Sequence, residues 1–199
     1  DGFLPKIAPV VDDMSLTGGA SWTSGEWDFD VSLGYGKNKM QFTIKDTLNR
    51  SIGATSKKQF DAGGFSYDQL VFNATAVRAY TFPALAAPLN FATGIEVRKE
   101  GYQLFAGEPD SYRYGGEKLA NGSPTAPGAQ VFPGFTPANA SNNSRNAAGI
   151  FVDLETNFTK EWQASAAMRA ENYSDFGSNV TGKLASRYDF NKQFAVRAS

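Results

Sequence analysis

The sequence predicts an all-β fold: an antiparallel, up-and-down transmembrane β-barrel segment of about eight strands. Three observations predict it. Apolar and polar residues alternate with period two through residues 145–199, in runs of about ten broken by short turns. Paired aromatics flank the short turns. Short and long connections alternate along the chain.

The alternation is clearest in two runs. Ala148, Ile150, Val152, Leu154, Thr156 and Phe158 fall on one parity, and Gly149, Phe151, Asp153, Glu155 and Asn157 on the other. After the turn Thr159-Lys160-Glu161 the pattern resumes, with Trp162, Ala164, Ala166, Met168 and Ala170 facing one way. Gln163, Ser165, Ala167, Arg169 and Glu171 face the other. Successive strand side chains point to opposite faces, so each run has one apolar and one polar side. Phe158 and Trp162 flank one turn, Phe190 and Phe194 a second, and Trp22 and Trp27 a third. Aromatics at the end of an apolar band suit the interfacial girdle of a membrane barrel. A soluble sandwich has the same alternation but no reason to pair aromatics at the same end of each hairpin.

In chain order, Asp1–Asp13 contains Pro5 and Pro9 and is expected to be a loop. Strand one is expected at 14–23. Strand two starts at Trp27 and turns Phe29, Val31, Leu33 and Tyr35 outward, a nine-residue run that matches the roughly 9–11 a tilted strand needs to cross a bilayer. Met40, Phe42 and Ile44 then slip to even parity; either a bulge at Gly36 or a strand already clear of the bilayer accounts for that, and Lys37 and Lys39 suit the second. Residues 47–65 lack periodicity and are expected to be a long loop. Strand three, about 66–82, carries Phe72, Ala74, Ala76, Tyr80 and Phe82 on one face; Arg78 breaks that face and requires snorkelling towards the nearby turn or a bulge. Strand four, about 89–106, turns Phe91, Thr93, Ile95 and Val97 out, with Glu96, Arg98 and Glu100 opposite. Residues 107–144, rich in Gly, Pro, Ser and Asn, form the longest irregular stretch, and a loop of that length is functional or disordered. Strands five to eight follow at about 145–158, 161–173, 178–189 and 193–199. Short turns at one end and long loops at the other match outer-membrane barrels. On this basis residues 1–199 form a single barrel segment.

Composition narrows the function. The 199 residues carry a net charge of −1, which provides no basic field to recruit nucleic acid. The chain has no cysteine and no histidine, which removes thiol catalysis, the usual zinc sites and histidine acid–base chemistry. No run of 18 apolar residues occurs, which excludes helical spans and says nothing of barrel strands. Glu96 and Glu100 as an acid–base pair weigh less than a charge-paired polar wall. Gly34-Tyr-Gly36-Lys37 lacks the spacing of a phosphate loop. Asp175-Phe176-Gly177 has no kinase partner motif and suits a hairpin. Asn73 and Asn157 head Asn-x-Ser/Thr triplets but fall inside strands, on the polar face. No enzyme, resident cofactor or metal site is expected.

One more set of residues carries a resemblance. Arg169-Ala-Glu-Asn-Tyr-Ser-Asp-Phe-Gly177, Gly182-Lys183-Leu184 and Val196-Arg197-Ala198-Ser199 resemble the mid-barrel region of TonB-dependent outer-membrane receptors. Gly128-Ala-Gln-Val-Phe-Pro-Gly-Phe135 resembles a loop of some of these receptors. The resemblance is strong over 145–199 and looser over 1–144. It implies an internal piece of a longer receptor in the bacterial outer membrane, in contact with outer-membrane lipid. It also implies uptake of a scarce small-molecule nutrient, such as an iron–siderophore, cobalamin or a glycan. Energy would come from the TonB complex, acting through a plug region absent from these residues.

Candidate ligand contacts are Tyr112, Arg113 and Tyr114 with Phe132 and Phe135, all in the 107–144 loop. Aromatics beside an arginine grip planar or anionic ligands by stacking, cation–π contact and hydrogen bonds. The same residues also suit a loop packed on itself. Two other classes remain open: a self-contained small outer-membrane barrel with a structural or adhesive role, and a soluble β-sandwich binding module. The chain stops at Ala198-Ser199 without the terminal aromatic expected of the first, and the second requires the apolar face to be buried between sheets.

Overall fold

The computed structural model describes residues 3–199. Its strands are β1 (Lys6–Ser24), β2 (Trp27–Lys45), β3 (Phe60–Tyr80), β4 (Leu89–Phe105), β5 (Ser141–Asn157), β6 (Trp162–Tyr173), β7 (Gly177–Asp189) and β8 (Ala195–Ala198). They form one eight-stranded sheet in the order β1-β2-β3-β4-β5-β6-β7-β8, all neighbours antiparallel. Short 3₁₀ turns at Arg50–Thr55 and Pro109–Ser111 are the only helical elements among the described residues.

The chain divides into two compact units. One gathers 16–35, 69–99 and 145–199. Its strand portions, 16–24, 27–35, 69–80, 89–99 and 145–157, with β6 and β7, have about the length a tilted strand needs to cross a bilayer. Its register joins like faces. Ile150 pairs with Ala170, Val152 with Met168 and Leu154 with Ala166. On the next strand Met168 meets Gly182, Ala166 meets Leu184 and Ala170 meets Val180. The apolar face is open: Ile150 is 60% and Met168 61% exposed. A water-soluble sandwich would have sealed these residues together.

The tight turns of this unit carry the expected aromatics, in contact. Gly25-Glu26 closes β1 to β2, with Gly25 at φ 62°, the left-handed value a two-residue hairpin requires. Around it Trp22 stacks on Phe29 at 5.4 Å, and Trp27 meets Phe91 edge-on at 5.9 Å. Phe91 reaches Tyr80 at 6.4 Å. Phe158 and Trp162 lie 4.8 Å apart, Tyr188 and Phe190 4.9 Å, and Phe190 and Phe194 5.4 Å. Arg78 lies among these rings, 4.6 Å from the Tyr80 centroid and 5.8 Å from that of Trp27, and pairs with Glu26 in the turn. It therefore snorkels, as one of its two expected accounts required.

The other unit gathers 1–15, 36–68 and 100–144. Its core is Ile44, Phe60, Ala62 and Ala129, with Phe42 and Phe132 packed against them. This core explains the change of parity in β2. The strand runs unbroken through Gly36, so no bulge is needed there. Phe42 and Ile44 are apolar because the loops cover them.

Several expected boundaries are corrected. Strand β1 begins at Lys6, inside the stretch read as a loop; Asp1 and Gly2 of that reading lie outside the described residues. Its first residues alternate poorly, and the prolines misled because they sit on the first strand of the sheet, where a missing N–H is tolerated. Strand β3 begins at Phe60, not near 66, so the 47–65 loop shortens to 46–59. Gly63 and Gly64 hide that part: a side chain on Gly63 (φ 80°) would strike the backbone of Gly107 at 2.7 Å, so no alternation is visible there. Strand β5 begins at Ser141, and its first four residues are polar. Strand β8 spans only Ala195–Ala198, so the turn before it is 190–194.

Candidate ligand-binding site

The long connections 46–59 and 106–140 interlock through a buried polar hub. Asn49, Ser51 and Ser111 are fully buried. The Asn49 amide donates to the carbonyls of Asp110 and Arg113, both at 2.9 Å. Its oxygen accepts from the Ser51 N–H at 3.1 Å, an Asx turn that starts the 3₁₀ segment. The Gly115 N–H donates to the Ser51 hydroxyl at 2.9 Å. The Ser111 carbonyl accepts from the N–H groups of Ala129 (2.9 Å) and Gly134 (3.0 Å), which folds the distal half of the long loop back on its start. Gln130 N–H to the Leu48 carbonyl and Thr47 hydroxyl to the Gln130 carbonyl complete the stitching. Buried polar groups are tolerated when partnered in this way.

The hub presents the five candidate residues as two sets. Tyr112, Arg113 and Tyr114 follow the turn Pro109–Ser111. Tyr112 is half-buried, whereas Arg113 and Tyr114 are exposed, the latter by 44%. The Arg113 guanidinium donates to Asp110 at 2.5 Å, and the Tyr114 hydroxyl donates to the Glu117 carbonyl at 2.9 Å. Phe132 and Phe135 form the second set, 5.5 Å apart edge to face, and both meet Phe42, at 5.4 and 6.3 Å. Phe65 continues the cluster from Phe42 (6.0 Å) towards Tyr102 (6.3 Å). Arg113 and Tyr114 are thus exposed beside a half-buried Tyr112, and Phe132 and Phe135 belong to a half-buried aromatic cluster centred on Phe42.

Sequence reasoning missed two features. The hub itself was detectable as the Asn49-x-Ser51 Asx signature. Val131 was not: it holds φ 75° and is 58% exposed, a costly conformation for a β-branched residue. Strain of this kind clusters at functional surfaces. A salt bridge of 2.7 Å ties Lys57 to Glu108 across the two loops, and this hydrogen bond raises the Lys57 pKa.

In the unit that holds β6 and β7, the polar face is charge-paired. Arg169 bridges Glu96 at 3.0 Å and Glu171 at 2.9 Å, and Arg98 lies 3.7 Å from Glu96. Glu100, the other half of the carboxylate pair considered above, is engaged by the Tyr67 hydroxyl. No group of three or more potential metal ligands occurs among the described residues.

Residues 10–199 match the family model described as TonB dependent receptor-like, beta-barrel. The chain therefore belongs to the TonB-dependent receptors, as a stretch of their barrel domain. Members of this family are transporters of the bacterial outer membrane, not enzymes. Among curated proteins none matches the chain.

Proposed function

We propose that this chain is one barrel segment of an outer-membrane active transporter that imports a scarce nutrient with energy from the TonB system. The cargo class is an iron–siderophore, cobalamin or a glycan. The family supplies the reading, and one observation carries it to these residues: a single sheet has an exposed apolar face on one side and ion-paired Glu96, Arg169 and Glu171 on the other. The apolar face contacts outer-membrane lipid. The polar face lines a passage.

We assign ligand contact to Tyr112, Arg113 and Tyr114 and to Phe132 and Phe135. The interlocked hub favours this assignment, because rigid loops lose little entropy on binding. In the complete receptor, ligand uptake is expected to disappear when the TonB complex is deleted. Arg113→Ala and Tyr114→Ala should each weaken ligand binding about tenfold while leaving the folded barrel intact. TonB-independent uptake would overturn the transport reading; unchanged binding in both variants would overturn the site assignment alone.

A further inference from the structure

We propose that the interlocked loops carry a second binding site, a hollow for an amphipathic monocarboxylate with an aromatic or aliphatic body. The hollow lies between the 46–59 and 106–140 connections and has a volume of about 490 Å³. Leu119, Pro124, Pro127, Val131 and Pro133 form its apolar walls, and Arg50 and Gln130 bring polar side chains to it. Thr125 also lines it, but its hydroxyl is donated to the Glu117 carbonyl at 2.9 Å. The site is separate from the one above: none of Tyr112, Arg113, Tyr114, Phe132 and Phe135 lines it.

The walls are held from behind. The Gln130 N–H donates to the Leu48 carbonyl at 3.2 Å, and the Gln130 carbonyl accepts from the Thr47 hydroxyl at 3.0 Å. The Leu119 N–H donates to the Ser123 carbonyl at 2.8 Å, and the Thr125 N–H to the Glu117 carbonyl at 3.2 Å. The three prolines fix their own backbone. A hollow pinned in this way loses little conformational freedom when it is filled. Two features are not used in holding the loops together. Among the described residues, neither the Arg50 guanidinium nor the Gln130 side-chain amide has a hydrogen-bond or ion-pair partner. The strained residue Val131 stands in the wall, and strain is kept where a surface has a function. The chemistry selects the ligand class. Arg50 carries the only charge among the described lining residues, so one negative charge balances it. Its fork takes a carboxylate in bidentate fashion, and the Gln130 amide is a further donor. Proline has no N–H to offer, so the rest of the ligand must be apolar. The volume is that of a small-molecule pocket. A neutral sugar would set its hydroxyls against proline rings, and a dianion would leave one charge unmet.

This inference goes beyond the transport reading, because a ligand held here need not cross the membrane. The test uses the complete receptor in lipid nanodiscs, titrated calorimetrically with naphthylacetate. Naphthylacetamide serves as the same body without the charge, and acetate as the head without the body. Naphthylacetate is expected to bind below millimolar concentration, and each control at least tenfold more weakly. Arg50→Gln should abolish the preference for the acid over the amide. Ala126→Phe fills the hollow, keeps the charge and is expected to weaken naphthylacetate at least tenfold, which covers the case in which Arg50→Gln disturbs the 3₁₀ segment. Arg113→Ala should leave naphthylacetate binding unchanged. Absence of binding at millimolar concentration, equal affinity for acid and amide, or binding unchanged by both hollow variants overturns the site; so does equal weakening by Arg113→Ala. TonB-independent uptake in cells would sink the transport reading and leave the hollow standing.

Discussion

Asn49 bears more of the loop architecture than Tyr112, Arg113 or Tyr114. It is fully buried, and its amide donates to the carbonyls of Asp110 and Arg113, the second of which also accepts from the Ser51 hydroxyl at 3.3 Å. Asn49→Leu is expected to destabilise the loop unit by about 1–3 kcal/mol, chiefly through the Asp110 carbonyl it leaves unpaired. Hydrogen exchange should show residues 106–140 losing protection while the strands keep theirs. Arg78 makes a different point. A cation on an apolar face is costly unless its charge is met, and here Glu26 and the faces of Trp27 and Tyr80 meet it. Arg78→Met should change stability by no more than about 0.5–2 kcal/mol, the scale of the ring contacts it removes. The Lys6–Asp46 pair gives a pH signature. Hydrogen bonding to Lys6 holds the Asp46 carboxyl below its ordinary value of 3.8. A depressed folded-state value stabilises above the unfolded one, and that contribution vanishes as pH falls through the depressed value. Exchange protection at the start of β1 should therefore hold at pH 5 and fall below about pH 4.

Strands β5, β6 and β7 decide which solvent the sheet was built for. Ile150 and Thr181 lie on opposite faces by register: Ile150 pairs with Ala170 and Thr181 with Arg169. In a bilayer, Ile150→Arg should cost about 2–4 kcal/mol near the midplane, while Thr181→Arg on the polar face should cost little. The readout is heat-modifiable gel mobility of the full receptor folded into liposomes. Equal, negligible effects would show that the apolar face never meets lipid. Alternation made these strands legible before any coordinates, because lipid and lumen impose opposite demands on successive residues. It failed at the starts of β3 and β5 for local reasons. Gly63 and Gly64 have no side chain to register a face, and Ser141-Asn142-Asn143-Ser144 is polar on both parities.

At the scale of the molecule, β1 and β8 stand at the two ends of the strand order. Each has a row of backbone groups that no strand of this chain pairs, and hydrocarbon cannot solvate such a row. The 199 residues expressed alone and refolded in detergent are therefore expected to associate edge to edge, giving a broad distribution above the monomer by size-exclusion chromatography with cross-linking. A sharp monomeric peak would mean that this piece closes on itself.

The sequence by itself determined the all-β class, the up-and-down order, the residues of the exposed apolar face and the aromatic turns. Each follows from a local rule: period two, girdle chemistry or turn composition. The tertiary structure alone decided that residues 46–59 and 106–140 interlock around Asn49, Ser51 and Ser111, and that Phe42 and Ile44 belong to a covered core. It alone brought Arg187 opposite Arg197. Those features depend on residues far apart in the chain meeting across strands and loops, and no periodicity along one segment encodes such a meeting.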